Sequence, residues 1–205
     1  MSTRENTMRT MIGFCALLCL LFAGAASAQP TGCVPTIPGV QDGTFEAGSP
    51  WSLWTVQTST AFGTPLCDTL TCGTTVPPFA GTNWAWFGGA TAIENATLGQ
   101  TVTIPPGPFL FVRFQLRIQG VTAPFTDTLD VRVNGVTLTT FVEPAVAEPA
   151  YTLRYVNVTA FADGGPHPLL FAYSGPTTGT ANFTVDNVEL VTCTTPVELL
   201  DYRIE

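Results

Sequence analysis

The chain has 205 residues, 15 of them acidic and 7 of them arginine, with no lysine and a formal net charge of −8. This acidic balance argues against nucleic acids and anionic membranes as partners, because their phosphates are held by clustered Lys and Arg. The chain also has few charged residues, 19 Gly, 17 Pro and no long stretch of strong helix formers, which favours an all-β extracellular protein.

The first 28 residues are typical of a secretory signal peptide. Arg4 and Arg9 precede an apolar run over residues 11–23, and the small residues that signal peptidase needs end at Ala28. The apolar run is shorter than the roughly 18 residues of a transmembrane helix, so a membrane anchor is the weaker alternative. We therefore predict cleavage after Ala28, a secreted or cell-surface location, and no transmembrane segment in the mature chain.

Beyond the signal peptide, short segments alternate apolar and polar residues and are separated by Gly, Pro and Asn turns. A Pro-rich coil reaches residue 38, and two short apolar patches follow at 39–46 and 51–58. Predicted strands then cover 83–87, 96–104, 110–118, 128–133, 136–141, 151–158, 169–173 and 182–191. Many short strands without a convincing helix predict an all-β fold, a two-sheet antiparallel β-sandwich or jelly roll over residues 29–194, with a C-terminal tail over 195–205.

One hairpin is specified by its turn. Asn134 and Gly135 form the dipeptide that a type I′ turn requires, and apolar residues alternate on both sides of it. In the resulting register Val133 faces Val136, and Val131 faces Leu138, so the apolar residues meet on one face.

The last predicted strand changes phase midway. Its apolar residues occupy odd positions before Asp186 and even positions after Asn187. Because successive residues of a strand point to opposite faces, the change requires one extra residue, a β-bulge, at this place. Such a bulge would redirect the Asp186 carboxylate.

Four cysteines lie beyond residue 28, at Cys33, Cys67, Cys72 and Cys193. An even number in an exported chain indicates disulfides, and three pairings are possible. We favour Cys67 with Cys72, within a loop over residues 59–82, and Cys33 with Cys193, just outside the first and last strands. The alternatives are free thiols or a zinc site, for which His167 would be the only other soft ligand.

Six short motifs follow one another along the chain, namely G-T-F-E at 43–46, W-A-W-F-G-G at 84–89, L-G-Q-T-V-T-I-P-P at 98–106, D-T-L at 127–129, V-N-V-T-A-F at 156–161 and the stretch 183–190. Together they resemble the motifs of bacterial jelly-roll domains of the carbohydrate-binding-module and galactose-binding-like type. Their order matches the family, and the resemblance spans roughly residues 39–191. It implies a sandwich fold and a binding role towards extracellular glycans or another cell-surface component.

The resemblance also implies a structural calcium ion where the opening and closing strands meet. By motif, the carboxylates of Glu46 and Asp186 would be ligands, completed by backbone carbonyls near Gly43, with Asp42 as a weaker candidate. Calcium takes six to eight oxygen ligands of this mixed kind. The alternative is that Glu46 caps the following turn and Asp186 only stabilises the bulge.

Glycan recognition needs aromatic faces for sugar C–H groups. The chain offers four tryptophans, and Trp54, Trp84 and Trp86 are the favoured candidates beside Trp51. Trp84 and Trp86 share one face of a predicted strand, which leaves both exposed or both in the core. For most of the four rings, burial in the core is the favoured alternative to a sugar platform.

The polar face of segment 110–118 carries Arg113, Gln115 and Arg117. We expect the hairpin to lie beside this segment, with its Asp130 and Arg132 on the same polar face. These residues form either a polar binding face or a cross-strand charge ladder.

Catalysis is disfavoured by the residue inventory. A serine or cysteine triad needs a His, and His167, the only one, is predicted to be an exposed residue of a Gly-Gly-Pro-His-Pro turn. The sequence therefore predicts a secreted, non-catalytic binding module for glycans with a structural calcium. The alternatives are a cell-surface structural or adhesion protein without a sugar site and, third, a small polysaccharide hydrolase or lyase.

Overall fold

A computed structural model describes residues 29–194, so the predicted signal peptide and the tail at 195–205 lie outside the described residues. Within that range the chain forms eleven β-strands and a short 3-10 turn at Thr159–Phe161. The strands are β1 (Thr31–Pro35), β2 (Val56–Ser59), β3 (Leu66–Asp68), β4 (Asn83–Gly88), β5 (Glu94–Thr103), β6 (Leu110–Gln119), β7 (Thr128–Val133), β8 (Val136–Val142), β9 (Thr152–Asn157), β10 (Pro166–Gly175) and β11 (Asn182–Thr194). No helix in residues 29–194 is both long enough and apolar enough to cross a bilayer.

The strands form two antiparallel sheets, as the sequence predicts. One sheet has the order β3-β4-β11-β6-β9, with β1 paired to the far end of β11, and the other has the order β2-β5-β10-β7-β8. Two differences from the predicted elements concern the start of the domain. Strand β1 lies where a coil was expected, and the apolar patch at 39–46 forms turns.

The core lies between the two sheets and follows from the alternation in each strand. Strand β6 is the clearest case, because its even-numbered residues are all buried and its odd-numbered ones are half-buried. Phe114 of β6 meets Phe171 of β10 edge to face, with ring centroids 5.1 Å apart. The core is therefore built from the inward-facing residues of both sheets.

The predicted hairpin is confirmed except for part of its register. Asn134 and Gly135 have φ values of 51° and 77°, as a type I′ turn requires. Val133 pairs with Val136 as predicted, but Val131 pairs with Thr139 rather than with Leu138. The reason is a register shift between Val131 and Arg132, which leaves Leu138 as an extra residue that packs against the core.

The predicted bulge in β11 is confirmed. Asp186 pairs with Gln115 and Glu189 with Arg113, so three steps along β11 match two along β6. Asn187 takes a left-handed φ of 49° at this place. The phase change keeps the apolar residues on both sides of it in the core and turns the Asp186 side chain into a fully buried position.

Both predicted disulfides are present, Cys33 with Cys193 and Cys67 with Cys72. The first joins β1 to the end of β11, and the second joins β3 to the turn that follows it, five positions along the chain. All four cysteines are thus used, which excludes the zinc and free-thiol alternatives. Persistent disulfides are typical of extracellular proteins.

Candidate functional site

A cleft of about 690 Å³ opens beside β3 and β4. Three aromatic side chains line it, namely Trp51, Phe62 and Trp86. Polar groups and a disulfide complete the lining, namely Ser49, Thr64, Asp68, Thr71 and the Cys67–Cys72 bridge. Small-ligand sites have volumes of roughly 300–1,000 Å³ and combine apolar walls with a few polar groups, so this cleft has the character of a ligand site.

Strand β4 positions the central ring of the cleft. Ala85 and Phe87 point into the core, which places Trp84 and Trp86 on the opposite face of the strand. The two indoles stack with centroids 6.3 Å apart and an interplanar angle of 21°. Trp86 Nε1 donates a 2.7 Å hydrogen bond to Asn182 Oδ1 on β11. Stacking on Trp84 and the hydrogen bond to Asn182 therefore fix the Trp86 ring, which still lines the cleft.

The turn closed by the Cys67–Cys72 disulfide supplies the acidic group of the cleft. Asp68 Oδ1 accepts hydrogen bonds from the backbone N–H groups of Leu70 (2.9 Å) and Thr71 (2.8 Å). The bond from Thr71 is the largest cause that lowers the pKa of Asp68, so this carboxylate is ionised at neutral pH. An ionised carboxylate beside aromatic rings can accept hydrogen bonds from ligand hydroxyls.

For two of the candidate sugar platforms the structure favours the alternative of burial in the core. Trp54 and Trp84 are fully buried, so neither offers a ring face to a ligand. Trp54 stacks on Phe45 with centroids 5.1 Å apart and donates from Nε1 to the backbone oxygen of Asp42 at 3.0 Å. Trp84 lies opposite Cys67 of β3, and one of its faces is covered by the stacked Trp86 ring. Trp86 lies two residues further along β4, where its backbone N–H donates to the Pro65 oxygen at 2.7 Å.

Phe62, Asp68 and Thr64 were not predicted as site residues. All three belong to the segment 59–82 that the sequence marks only as a disulfide-closed loop. An exposed aromatic residue in such a loop is the signal that points to Phe62, whose exposed fraction is 59%.

The polar face of β6 is separate from the cleft. Arg113 Nε forms a 2.6 Å ion pair with Glu189 Oε2 of β11. Arg117 Nε donates to the backbone oxygen of Glu148 at 3.3 Å. Gln115 lies between the two arginines on the same face of the strand. These contacts favour the ladder interpretation over a free binding face.

The predicted participation of the hairpin in that ladder is wrong. β6 pairs with β9 and β11, whereas β7 and β8 belong to the other sheet. Asp130 and Arg132 instead form a 2.6 Å ion pair with each other on that sheet.

The two carboxylates predicted to bind calcium are both bonded to one loop, residues 79–83. Asp186 Oδ2 accepts the backbone N–H groups of Phe79 (3.0 Å) and Ala80 (3.1 Å), and its Oδ1 accepts that of Asn187 at 2.7 Å. Glu46 Oε1 accepts the backbone N–H groups of Thr82 and Asn83, both at 2.8 Å, while Oε2 accepts from their side chains. Both carboxylates therefore fix this loop.

The other two predicted calcium ligands also have protein partners. The backbone oxygen of Gly43 accepts the N–H of Val188 at 2.8 Å, which joins the opening turn to β11. Asp42 Oδ1 accepts the N–H of Ala47 at 3.0 Å, while its Oδ2 is buried without a partner in the described part of the chain. These oxygens suit calcium chemically, and most of them already accept hydrogen bonds from the protein. Calcium at this place stays a prediction.

The only histidine is buried rather than exposed, which corrects the prediction for His167. It lies in β10, where its Nδ1 is 2.9 Å from Asn134 Nδ2 and its Nε2 is 2.9 Å from Asp163 Oδ1. Both ring nitrogens are thus engaged in joining the hairpin turn to the turn before β10. A general base needs a free ring nitrogen directed at a reacting group, and His167 does not offer one.

No protein-family model and no curated protein matches this chain. Among solved structures it is similar to TmCBM61, solved in complex with beta-1,4-galactotriose, at 15% identity and a TM-score of 0.51 over 74% of this chain and 96% of that one. A family 16 carbohydrate-binding module is 17% identical, with a TM-score of 0.47 over 74% of this chain and 97% of that one. The Stig cyclase Fisc from Fischerella sp. TAU is 14% identical, with a TM-score of 0.42 over 82% and 100%. The likeness to TmCBM61 shows that the chain has the jelly-roll fold of a carbohydrate-binding module.

Proposed function

We propose that this protein is a secreted, non-catalytic module that binds extracellular glycans in the cleft at Trp86. The observation that carries the proposal is the combination in one cleft of the half-buried Trp86 ring, two further aromatic side chains and the ionised Asp68. A ring face attracts the C–H groups of a sugar, while carboxylate and hydroxyl groups bond to its hydroxyls. The two disulfides support secretion, because such bonds persist in oxidising compartments.

The size of the cleft narrows the ligand class. A volume of about 690 Å³ suits a short oligosaccharide or a chain end rather than a flat crystalline polymer surface. Because the similarly folded TmCBM61 was solved with beta-1,4-galactotriose, short galactans belong in the first set of probes.

The test is a glycan array with the mature protein, followed by titration calorimetry on the strongest hit. Trp86→Ala should weaken binding about tenfold or more, because it removes one of the three aromatic side chains that line the cleft. Trp86→Phe should retain part of the affinity, since it keeps a ring but loses the N–H bond to Asn182. Phe109→Ala is the matched control, because this exposed aromatic side chain lies outside the cleft. Equal affinities of wild type and Trp86→Ala would place the site elsewhere.

A structural or adhesive role without a sugar site is the second candidate. It is favoured by the complete burial of Trp54 and Trp84, which removes two of the expected sugar platforms. An array without any hit, in a protein that retains its fold, would shift the assignment to this role.

We also propose a structural calcium at Glu46 and Asp186, as the resemblance implies. If an ion binds there, chelation should lower the melting temperature of the wild-type protein more than that of Glu46→Gln or Asp186→Asn. The reason is that each variant has already lost part of the negative charge that calcium needs. An equal decrease in wild type and in both variants would contradict calcium at this place.

A further inference from the structure

Three acidic side chains are buried together at one end of the five-stranded sheet. Glu94 begins β5, Asp127 directly precedes β7 and Glu143 directly follows β8, so the topology brings all three to the same sheet end. Glu94 and Asp127 are each 2% exposed and Glu143 is 5% exposed. Tyr173 of β10 lies among them, and its hydroxyl donates to Asp127 Oδ2 at 2.6 Å.

The three carboxylates differ in how many of their oxygens accept hydrogen bonds from the protein. Both oxygens of Glu143 accept backbone N–H groups, from Thr122 at 2.7 Å and from Asp127 at 3.3 Å. Glu94 has one satisfied oxygen, Oε1, which accepts the Ser59 hydroxyl at 2.7 Å. Glu94 Oε2 and Asp127 Oδ1 are buried and have no hydrogen-bond partner in residues 29–194. One oxygen on each of these two acids is therefore left open.

The described part of the chain provides no positive charge for this cluster. Its arginine ion pairs lie elsewhere, with Glu189, Asp130 and Glu148. Burial of an ionised carboxylate without a counter-charge is strongly unfavourable. The site thus needs either a bound cation or a proton.

We propose that Glu94 and Asp127 bind a divalent cation of the calcium class through Glu94 Oε2 and Asp127 Oδ1. The available donors are all oxygens, which is the ligand set that calcium prefers. The described residues contain no group of three or more His, Cys, Asp or Glu side chains placed to hold a metal ion, so Glu94 and Asp127 would supply two of the six to eight oxygens that calcium takes. Calcium accepts irregular shells, whereas magnesium requires near-ideal octahedral geometry.

This site is distinct from the one that the family resemblance implies. Every carboxylate oxygen of Glu46 and Asp186 accepts at least one hydrogen bond, whereas Glu94 and Asp127 each retain an oxygen without one in the described part of the chain. Asp186 belongs to the six-stranded sheet, and Glu94 belongs to the five-stranded one. Variants at the two places therefore report on two different ions.

The test is calcium titration by calorimetry on protein stripped with a chelator. Glu94→Gln and Asp127→Asn should each weaken calcium binding about tenfold or more, because each removes one ligand charge and keeps the side-chain shape. Asp130→Asn is the matched control on the same sheet, since its carboxylate is bonded to Arg132 and Thr140. The double variant Glu46→Gln/Asp186→Asn should retain the binding event.

A second measurement separates a cation site from a destabilised fold. In chelator, Glu94→Gln and Asp127→Asn should melt at or above the wild-type temperature, because a buried charge has been removed. In calcium, the wild type should melt above both variants. Absence of calcium binding by the wild type, or equal affinity in both variants, would overturn the proposal. So would a wild-type melting temperature that rises as the pH falls and does not respond to calcium, since a proton would then neutralise the pair.

Discussion

At the scale of single residues, Gly43 is fixed by the close approach of two backbone segments. A Cβ atom at this position would lie 1.8 Å from the backbone oxygen of Val188. The same two residues share the hydrogen bond from Val188 N to Gly43 O. Gly43 therefore allows the opening turn to lie against the bulged strand β11.

Gly43→Ala should destabilise the protein by about 3 kcal/mol or more, because no rotamer change relieves contact with a backbone oxygen. Gly48→Ala is the control, since a Cβ there meets nothing within 4 Å and only the left-handed φ of 71° is strained. The control should cost about 1–2 kcal/mol. Urea denaturation of both variants measures the difference, and equal costs would show that the turn moves away freely.

The sequence predicted the position of the bulge correctly, but it did not predict which tryptophan is exposed. The phase change in β11 located the bulge and the inward turn of Asp186, because period-two alternation is a local property. The exposure of Trp84 and Trp86 was not predictable from parity. Both rings lie on the same face of β4, yet Trp84 is fully buried and Trp86 lines the cleft, because the packing around each ring is tertiary.

At the scale of elements, the hairpin of β7 and β8 is tied to β10 through its turn. Asn134 has a left-handed φ of 51°, and its Nδ2 lies 2.9 Å from Nδ1 of the buried His167. The turn motif was readable in the sequence, because Asn-Gly suits the positive φ values of a type I′ turn. Its contact with His167 was not, because the two residues are 33 positions apart.

Substitution at Asn134 separates these two roles. Asn134→Gly should cost about 1 kcal/mol, because it keeps the backbone conformation but removes the hydrogen bond to a buried ring nitrogen. Asn134→Ala should cost about 1 kcal/mol more, because alanine is strained at positive φ. Denaturant unfolding gives both values. If Asn134→Gly were as stable as the wild type, the contact with His167 would not contribute.

At the scale of the whole molecule, β11 occupies the centre of the six-stranded sheet although it is the last strand. It pairs with β4 and β6, and its far end pairs with β1. Individual strands were predictable from local alternation, but their distribution between sheets was not. The placement of β6 and β7 in different sheets shows this, because pairing between distant segments leaves no local pattern.

The two disulfides should contribute unequally to stability, because they close loops of very different length. The bridge between Cys33 and Cys193 spans 160 positions, and the bridge between Cys67 and Cys72 spans 5. Chain entropy gives roughly 5 kcal/mol for the long loop and roughly 2 kcal/mol for the short one.

The double variant Cys33→Ser/Cys193→Ser should therefore lose more unfolding free energy than Cys67→Ser/Cys72→Ser. Guanidinium denaturation measures both losses, and mass spectrometry confirms which bridge remains. β1 is mostly exposed and pairs only with β11 among the described strands, so it is the segment that would detach if the long bridge were removed. If removal of the long bridge only detaches β1, the unfolding free energy falls only by the contribution of β1. Cys33→Ser/Cys193→Ser would then be no less stable than Cys67→Ser/Cys72→Ser. That outcome would show that the bridge fastens a single strand instead of constraining the unfolded chain.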